Sequence, residues 1–225
     1  MEIKVLITGQ ERTFAQALAA RLDDEEDIRV VGAVQTRTPG SWLIGGMSVD
    51  VVVLDGDLPG VAAHRLCAEL VGPAGSARVI ALSSSSEPER IVNAIRAGAA
   101  AWVRKDQSLE ALLRAVRGVA RGETWLPPSD LGNVVRFLIG ERDRQRKNEQ
   151  LLAALTPRER AVLACLAEGA GHRDAVAEQL HLSVNTVRTH LQNLMAKLGV
   201  HSALEAVALT RDHEDWLPAN SGSPW

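Results

Sequence analysis

Val51-Val52-Val53-Leu54 is an unbroken apolar run that stops on an acid, Asp55. A strand with one wet face alternates polar and apolar residues, so a run without alternation must be covered on both sides. A parallel sheet wrapped in helices provides that cover. The pattern recurs at Ile3 to Thr8, at Val30 to Ala33, at Val79 to Leu82 ending on Ser83, and at Ala101 to Val103 ending near Lys105. Phe14, Leu18 and Leu22 follow the first run at helical spacing and lead into the acidic stretch Asp23 to Asp27. Further helices are expected from about Ala62, Pro88 and Ser108. Pro39, Gly40, Gly45 and Gly46 leave only a short or broken helix after the second strand.

Five βα units predict an α/β flavodoxin-like domain with a five-stranded parallel sheet in the order 2-1-3-4-5. Such sheets bind their ligands beyond the carboxyl ends of the strands, where Gly9, Gln10, Asp55, Ser83 and Lys105 fall. One domain of this kind does not use up 225 residues, so a second is expected. The net charge of -3 excludes a strongly basic polyanion binder, and any nucleic-acid contact must come from a local patch. No apolar run reaches the roughly 20 residues of a membrane span. The start Met1-Glu2-Ile3-Lys4 does not read as a signal peptide, and Cys67 and Cys165 lie at no ligand spacing. The expectation is a cytoplasmic protein with two buried, reduced thiols, without cofactor, metal or membrane partner.

Residues 1 to about 121 resemble the receiver domain of response regulators. The phrase Asp50-Val-Val-Val-Leu-Asp55-Gly-Asp-Leu-Pro59-Gly60 is similar to that family's phospho-acceptor loop. Ser83 and Lys105 fall where its hydroxyl switch and lysine belong, and Trp102 where its switch aromatic does. The departure is at Gly9 and Gln10, where the resemblance implies two acidic residues that hold magnesium. Magnesium asks for near-octahedral oxygen ligation and relies on carboxylates, so this loss predicts a vestigial site with Asp55 paired to Lys105. Glu11 stands one residue late to replace the lost acids.

Residues 122–154 are expected to form a helical linker. Pro127-Pro128-Ser129 supplies a stop and an N-cap, and Leu131, Val134, Val135, Leu138 and Ile139 then recur with helical period, a stripe suited to a receiver or a partner chain. The run Glu141 to Gln150 is wholly polar and reads as solvated.

From 155 to 211 an all-α four-helix helix-turn-helix domain is expected. Thr156, Pro157 and Glu159 spell a capping box, a short helix runs from about Arg173 to Leu180, Ser183 caps a third helix over Val184 to Leu198, Gly199 ends it, and a fourth runs from Ala203 to about Arg211. Leu155-Thr-Pro-Arg-Glu-Arg160, Leu182-Ser-Val-Asn-Thr-Val-Arg-Thr-His190 and Leu194-Met-Ala-Lys-Leu-Gly-Val200 resemble the DNA-binding domain of the LuxR/NarL class. The stretch between Gly169 and Ser183 is one residue longer than that pattern, around Ala170 to His172. On the third helix Val187, Leu191, Leu194 and Leu198 form one stripe, opposite Asn185, Thr189, Gln192, Asn193 and Ala196, with Arg188 flanking. Arg, Asn and Gln are the side chains that pair with guanine and adenine edges in the major groove. Thr186, His190 and Lys197 are placed for phosphate. His172, His181 and His201 have no Cys or carboxylate at ligand spacing and read as surface or packing residues.

Six basic and five acidic residues between 155 and 211 leave a net of +1, weak for a monomer on double-stranded DNA. A homodimer, or a heterodimer with a related response regulator, is therefore expected. The tail 212–225 adds Asp212, Glu214 and Asp215 without a base and reads as disordered. A bias of 21 Arg over 4 Lys points to a GC-rich bacterial genome, and the altered receiver resembles that of the WhiI-like orphan developmental regulators of actinomycetes. The expected function is transcriptional regulation by DNA binding, without catalysis and without phosphorylation. A ligand-sensing regulator using the emptied pocket, and a conventional phosphorylation-activated one, are the alternatives.

Overall fold

A computed structural model describes residues 2–35, 48–57, 62–71, 77–169 and 172–210. The expected broken helix at 36–47, the lengthened turn at Ala170 and the tail from 212 lie outside them. The chain forms two compact units, Met1–Phe137 and Leu138–Trp225.

The first unit is built on β1 (Ile3–Gly9), β2 (Ile28–Gln35), β3 (Val51–Asp55), β4 (Arg78–Ser83) and β5 (Ala99–Arg104), all parallel, in the order β2-β1-β3-β4-β5. This is the order the apolar runs predict. Period-two geometry divides each run between two cores. Val5, Ile7, Val51, Val53, Ile80, Leu82 and Val103 face α1 (Arg12–Asp23) and α4 (Leu109–Ala120). Leu6, Val52, Leu54, Val79, Ala81 and Trp102 face α2 (Ala62–Val71) and α3 (Pro88–Arg96). Burying such aliphatic side chains is worth about 1.5–3 kcal/mol each, which is why these runs tolerate no polar residue.

On α1 the expected inner face is partly corrected. Ala15 and Leu22 are buried, whereas Phe14 turns outward at 38% exposure. The acidic stretch has a defined partner in Arg117 on α4, which bonds Asp27 at 2.7 and 2.8 Å and Glu25 at 2.8 Å. Past α4, Trp125 pairs with the outer edge of β5. Its N–H donates to the Ala100 carbonyl at 3.1 Å, and its carbonyl accepts from the Trp102 N–H at 3.0 Å.

The linker is corrected in two respects. Its helix, α5, runs unbroken from Pro128 to Ala153, with Pro128 rather than Ser129 opening it; the carbonyl of Pro127 takes the N–H groups of Asp130 and Leu131. Proline suits a first helical position because its missing N–H would have no partner there. The polar run is therefore helical as well as solvated, as a stretch rich in Glu, Arg, Gln and Lys allows. Only Val134 and Phe137 of the expected stripe region pack on the first unit, and Leu131, Val135, Leu138 and Ile139 stay exposed.

In the second unit Leu152 and Leu155 join a core with α6 (Pro157–Ala167), α7 (Arg173–Gln179), α8 (Val184–Leu198) and α9 (Ala203–Ala208). The capping box is complete: Glu159 N–H donates to Thr156 Oγ1 at 3.3 Å, and Thr156 N–H donates to Glu159 Oε2 at 2.8 Å. Gly199 ends α8 in the left-handed region at φ 68°, where a side chain would strain the backbone. No helix among the described residues is long and apolar enough to cross a membrane.

Candidate functional site

In the first unit, the strand ends bring Gly9, Gln10, Asp55, Ser83 and Lys105 together. Register places Asp55 beside Leu82 and Ser83 beside Arg104, so the ends of β3, β4 and β5 lie level. Gly56 permits the closest approach, since a Cβ there would stand 3.2 Å from Ser83 Cβ. Lys105 Nζ reaches Asp55 Oδ1 at 2.8 Å, the pairing read from sequence. Asp55 also accepts the N–H groups of Asp57 at 3.1 Å and Gln10 at 3.3 Å. The Phe14 ring centroid lies 5.4 Å from the same ammonium, giving that outward aromatic a cation–π role.

Two residues to which the sequence reading gave no side-chain role, Asp57 and Ser84, complete the cluster. Asp57 accepts Ser83 Oγ–H at 2.5 Å, Ser84 Oγ–H at 2.7 Å and Ser84 N–H at 2.9 Å, and pairs with Lys105 at 3.0 Å. Burial opposes charge on Asp57, yet the hydrogen bonds from Ser83, Ser84 and Lys105 outweigh it and hold its carboxyl far below the usual range. Burial likewise opposes the Lys105 ammonium, and Asp55 and Asp57 together raise it above the ordinary lysine value. The signal for both was visible as an Asp-Gly-Asp turn facing a run of serines from Ser83 to Ser86.

Gly9 offers no side chain, Gln10 gives the cluster its N–H, and the oxygens of Asp55 and Asp57 are directed at one ammonium and at N–H and O–H donors. Glu11 stands exposed at the N-cap of α1. Among the described residues no group of three or more His, Cys, Asp or Glu could hold a metal ion. Trp102 is buried at 2% exposure, facing α2 and α3, with no partner for its Nε1 among the described residues. Burial pushes the Cys67 thiol up to about 12 and raises that of Cys165, so neither is a reactive thiolate near neutral pH.

In the second unit, α7 and α8 are joined by a four-residue turn in which His181 takes a positive φ of 52° and Leu182 N–H donates to the Ala177 carbonyl at 2.8 Å. Ser183 caps α8, accepting from Thr186 N–H at 3.1 Å. Val187, Leu191, Leu194 and Leu198 are all buried, and Asn185, Arg188, Thr189, Gln192 and Asn193 all exposed. Among the described residues no hydrogen bond or ion pair engages the side chains of Arg188, Gln192 or Asn193.

The three residues placed for phosphate fare differently. His190 is half-buried. The Thr186 hydroxyl is drawn into the cap, 2.8 Å from Ser183 Oγ. Lys197 Nζ donates to Glu159 Oε2 at 2.7 Å, and its side chain stays 39% exposed. Burial raises the Glu159 carboxyl, but Lys197 and the Thr156 N–H outweigh it and lower it overall, so one acid holds both the α6 cap and the end of α8.

A receiver sheet in one unit and a capped helix-turn-helix in the other define a response regulator with a DNA-binding output. The profile of the response regulator receiver domain matches residues 5–117, and that of bacterial regulatory proteins of the luxR family matches 153–210. The chain belongs to the LuxR/NarL-type response regulators, transcription regulators rather than enzymes. It is 28% identical to the transcriptional regulatory protein LiaR of Bacillus subtilis, over 94% of this chain and 98% of that one. It is 30% identical to the Fimbriae Z protein of Salmonella typhimurium, over 93% and 97%. The RcsB response regulator of Salmonella typhimurium shares the fold at a TM-score of 0.51 and 20% identity, over 94% of this chain and 100% of that one.

Proposed function

We propose that this DNA-binding regulator works without phosphorylation at Asp55, as a dimer on double-stranded DNA in the cytoplasm. The observation that carries the reading is the sharing of Lys105 between Asp55 and Asp57, beside a β1 end where Gly9 and Gln10 contribute no carboxylate of their own. Phosphoryl transfer depends on cations that neutralise developing charge, and the ammonium here is already committed to two carboxylates. The receiver is taken as residues 1–121, the linker as 122–154 and the DNA-binding domain as 155–211.

On DNA, α8 enters the major groove with Asn185, Arg188, Thr189, Gln192 and Asn193 towards the base edges and Thr186, His190 and Lys197 towards the backbone. Two copies are needed because one domain of net charge +1 neutralises few phosphates. The exposed apolar residues Leu131, Val135, Leu138 and Ile139 on α5, and Leu204 on α9 at 74% exposure, are surfaces a second chain would cover. That chain is a second copy or a related response regulator. Incubation of the full chain with acetyl phosphate and magnesium tests the central point. No label on Asp55 is expected, and stoichiometric, magnesium-dependent label would overturn the reading. Sedimentation of the protein with and without a palindromic operator fragment tests the dimer, and a monomer tight on a single half-site would defeat it.

A further inference from the structure

Asp57 lies two residues beyond the end of β3, and donors of three kinds converge on its carboxylate. They are the hydroxyls of Ser83 and Ser84, the N–H of Ser84 and the ammonium of Lys105, with the Arg90 guanidinium at 3.9 Å. Ser83 and Ser84 come from the end of β4, Lys105 from the end of β5, and Arg90 from α3, where it also donates to the Gly56 carbonyl at 3.0 Å. Hydroxyls, a main-chain N–H and fixed cations on one point form the donor set that holds a tetrahedral oxyanion. A carboxylate, with two oxygens and about four lone-pair positions, fills part of such a set.

We propose that the ends of β4 and β5 form a cradle for a phosphate-sized oxyanion and that Asp57 is its resident occupant. Asp55 is not that occupant, since its oxygens take the N–H groups of Gln10 and Asp57 and share only Lys105. Being part of the chain, the Asp57 carboxylate competes at a high effective concentration against any free anion. It also ties the loop after β3 to the ends of β4 and β5, a linkage that an external anion would otherwise have to make. A ligand shifts an equilibrium only by its differential affinity for two states, so a cradle already filled gives phosphate little to shift. The inference rests on the reading that Asp55 is not phosphorylated, and it adds the reason that the anion site beside Asp55 is occupied from within.

The test is thermal unfolding of the full chain in rising inorganic phosphate, against sodium chloride at matched ionic strength. The wild-type midpoint is expected to follow the chloride control. Asp57→Ala is expected to unfold about 3 °C lower and to recover in a saturable way with phosphate, as a ligand binding only the folded state requires. Adding Ser84→Ala to Asp57→Ala removes a hydroxyl of the cradle and should weaken that recovery at least several-fold in phosphate concentration. Asp57→Asn serves where Asp57→Ala does not fold, because its amide keeps the shape but loses the charge facing Lys105. A phosphate response equal in wild type and variants, or absent from both Asp57 variants, overturns the proposal. Labelling of wild-type Asp55 by acetyl phosphate reports on the parent reading separately, since it would fail whether or not the Asp57 variants gain a phosphate response.

Discussion

The two sites differ in what their polar groups are engaged with before anything binds. At the strand ends of the receiver, Asp55, Asp57, Ser83, Ser84 and Lys105 are satisfied by one another inside a nearly closed cluster. On α8, Arg188, Gln192 and Asn193 stand in solvent above a stripe whose burial is complete without them. The first arrangement makes the site part of the fold, and the second keeps the site separate from it. Substitutions in the receiver cluster should therefore cost stability and spare DNA affinity, and substitutions on the α8 face should do the reverse.

The sharpest way to break this contrast is Lys105→Ala, which leaves two carboxylates facing each other without their shared counter-charge. Breaking a fully buried pair costs about 3–5 kcal/mol, and partial water access here reduces the expected loss to about 2 kcal/mol. Denaturant unfolding would measure it, and operator affinity below the transition should stay within about twofold. An unchanged midpoint would show that the cluster contributes no stability. Next in size, Arg188→Ala and Gln192→Ala are each expected to lose about 1–3 kcal/mol of specific affinity, roughly 5- to 150-fold, at an unchanged unfolding midpoint. Unaltered operator binding at fixed salt would remove the face from the interface.

Thr156→Ala and Lys197→Ala refine the contrast within the second unit. Each should cost about 1 kcal/mol of stability, one through the lost cap and the other through Glu159 left without its ammonium. A flattening of the salt dependence of binding by about one unit of slope on Lys197→Ala would show that the same ammonium also touches a phosphate. The smallest effect is that of pH near neutrality. Asp57 and Glu159 are lowered in the folded state, so their contribution is full above the ordinary carboxylate range and is lost as pH falls through and below about 4. Lys105 is raised, so its contribution is full below about pH 10.4 and is lost only as pH climbs past that value. A flat stability plateau from pH 6 to 8, measured by thermal unfolding, is the expected outcome.

Much of this was legible from periodicity. Val51 to Leu54 and its counterparts identified the parallel sheet because nothing but cover on both faces suits an unbroken apolar run. Val187, Leu191, Leu194 and Leu198 identified the inner stripe of α8 because helical spacing permits no other grouping. Asp57 and Lys197 were not legible in the same way. Their partners lie 26 and 38 positions away in the chain, at Ser83 and Glu159, and which of several donors a flexible side chain chooses is settled by tertiary approach rather than by local pattern. Phe14 misled for a related reason. Helical spacing aligned it with Leu18 and Leu22, whereas Ala15 took the inner position and the ring went to the Lys105 ammonium instead.

The pairing of Trp125 with β5 bears on how the chain behaves at high concentration. An outermost strand offers a ladder of free N–H and C=O groups that can recruit a strand from another molecule and begin aggregation. Here the backbone of a single residue plugs that ladder: it takes up the N–H of Trp102 and the carbonyl of Ala100, and the Arg114 guanidinium lies 5.7 Å over its ring. The indole N–H of Trp125 is left without a partner among the described residues, a polar sacrifice at the rim. On this side of the sheet, crowded copies of the regulator meet a side chain and a cation where they would otherwise meet an adhesive edge.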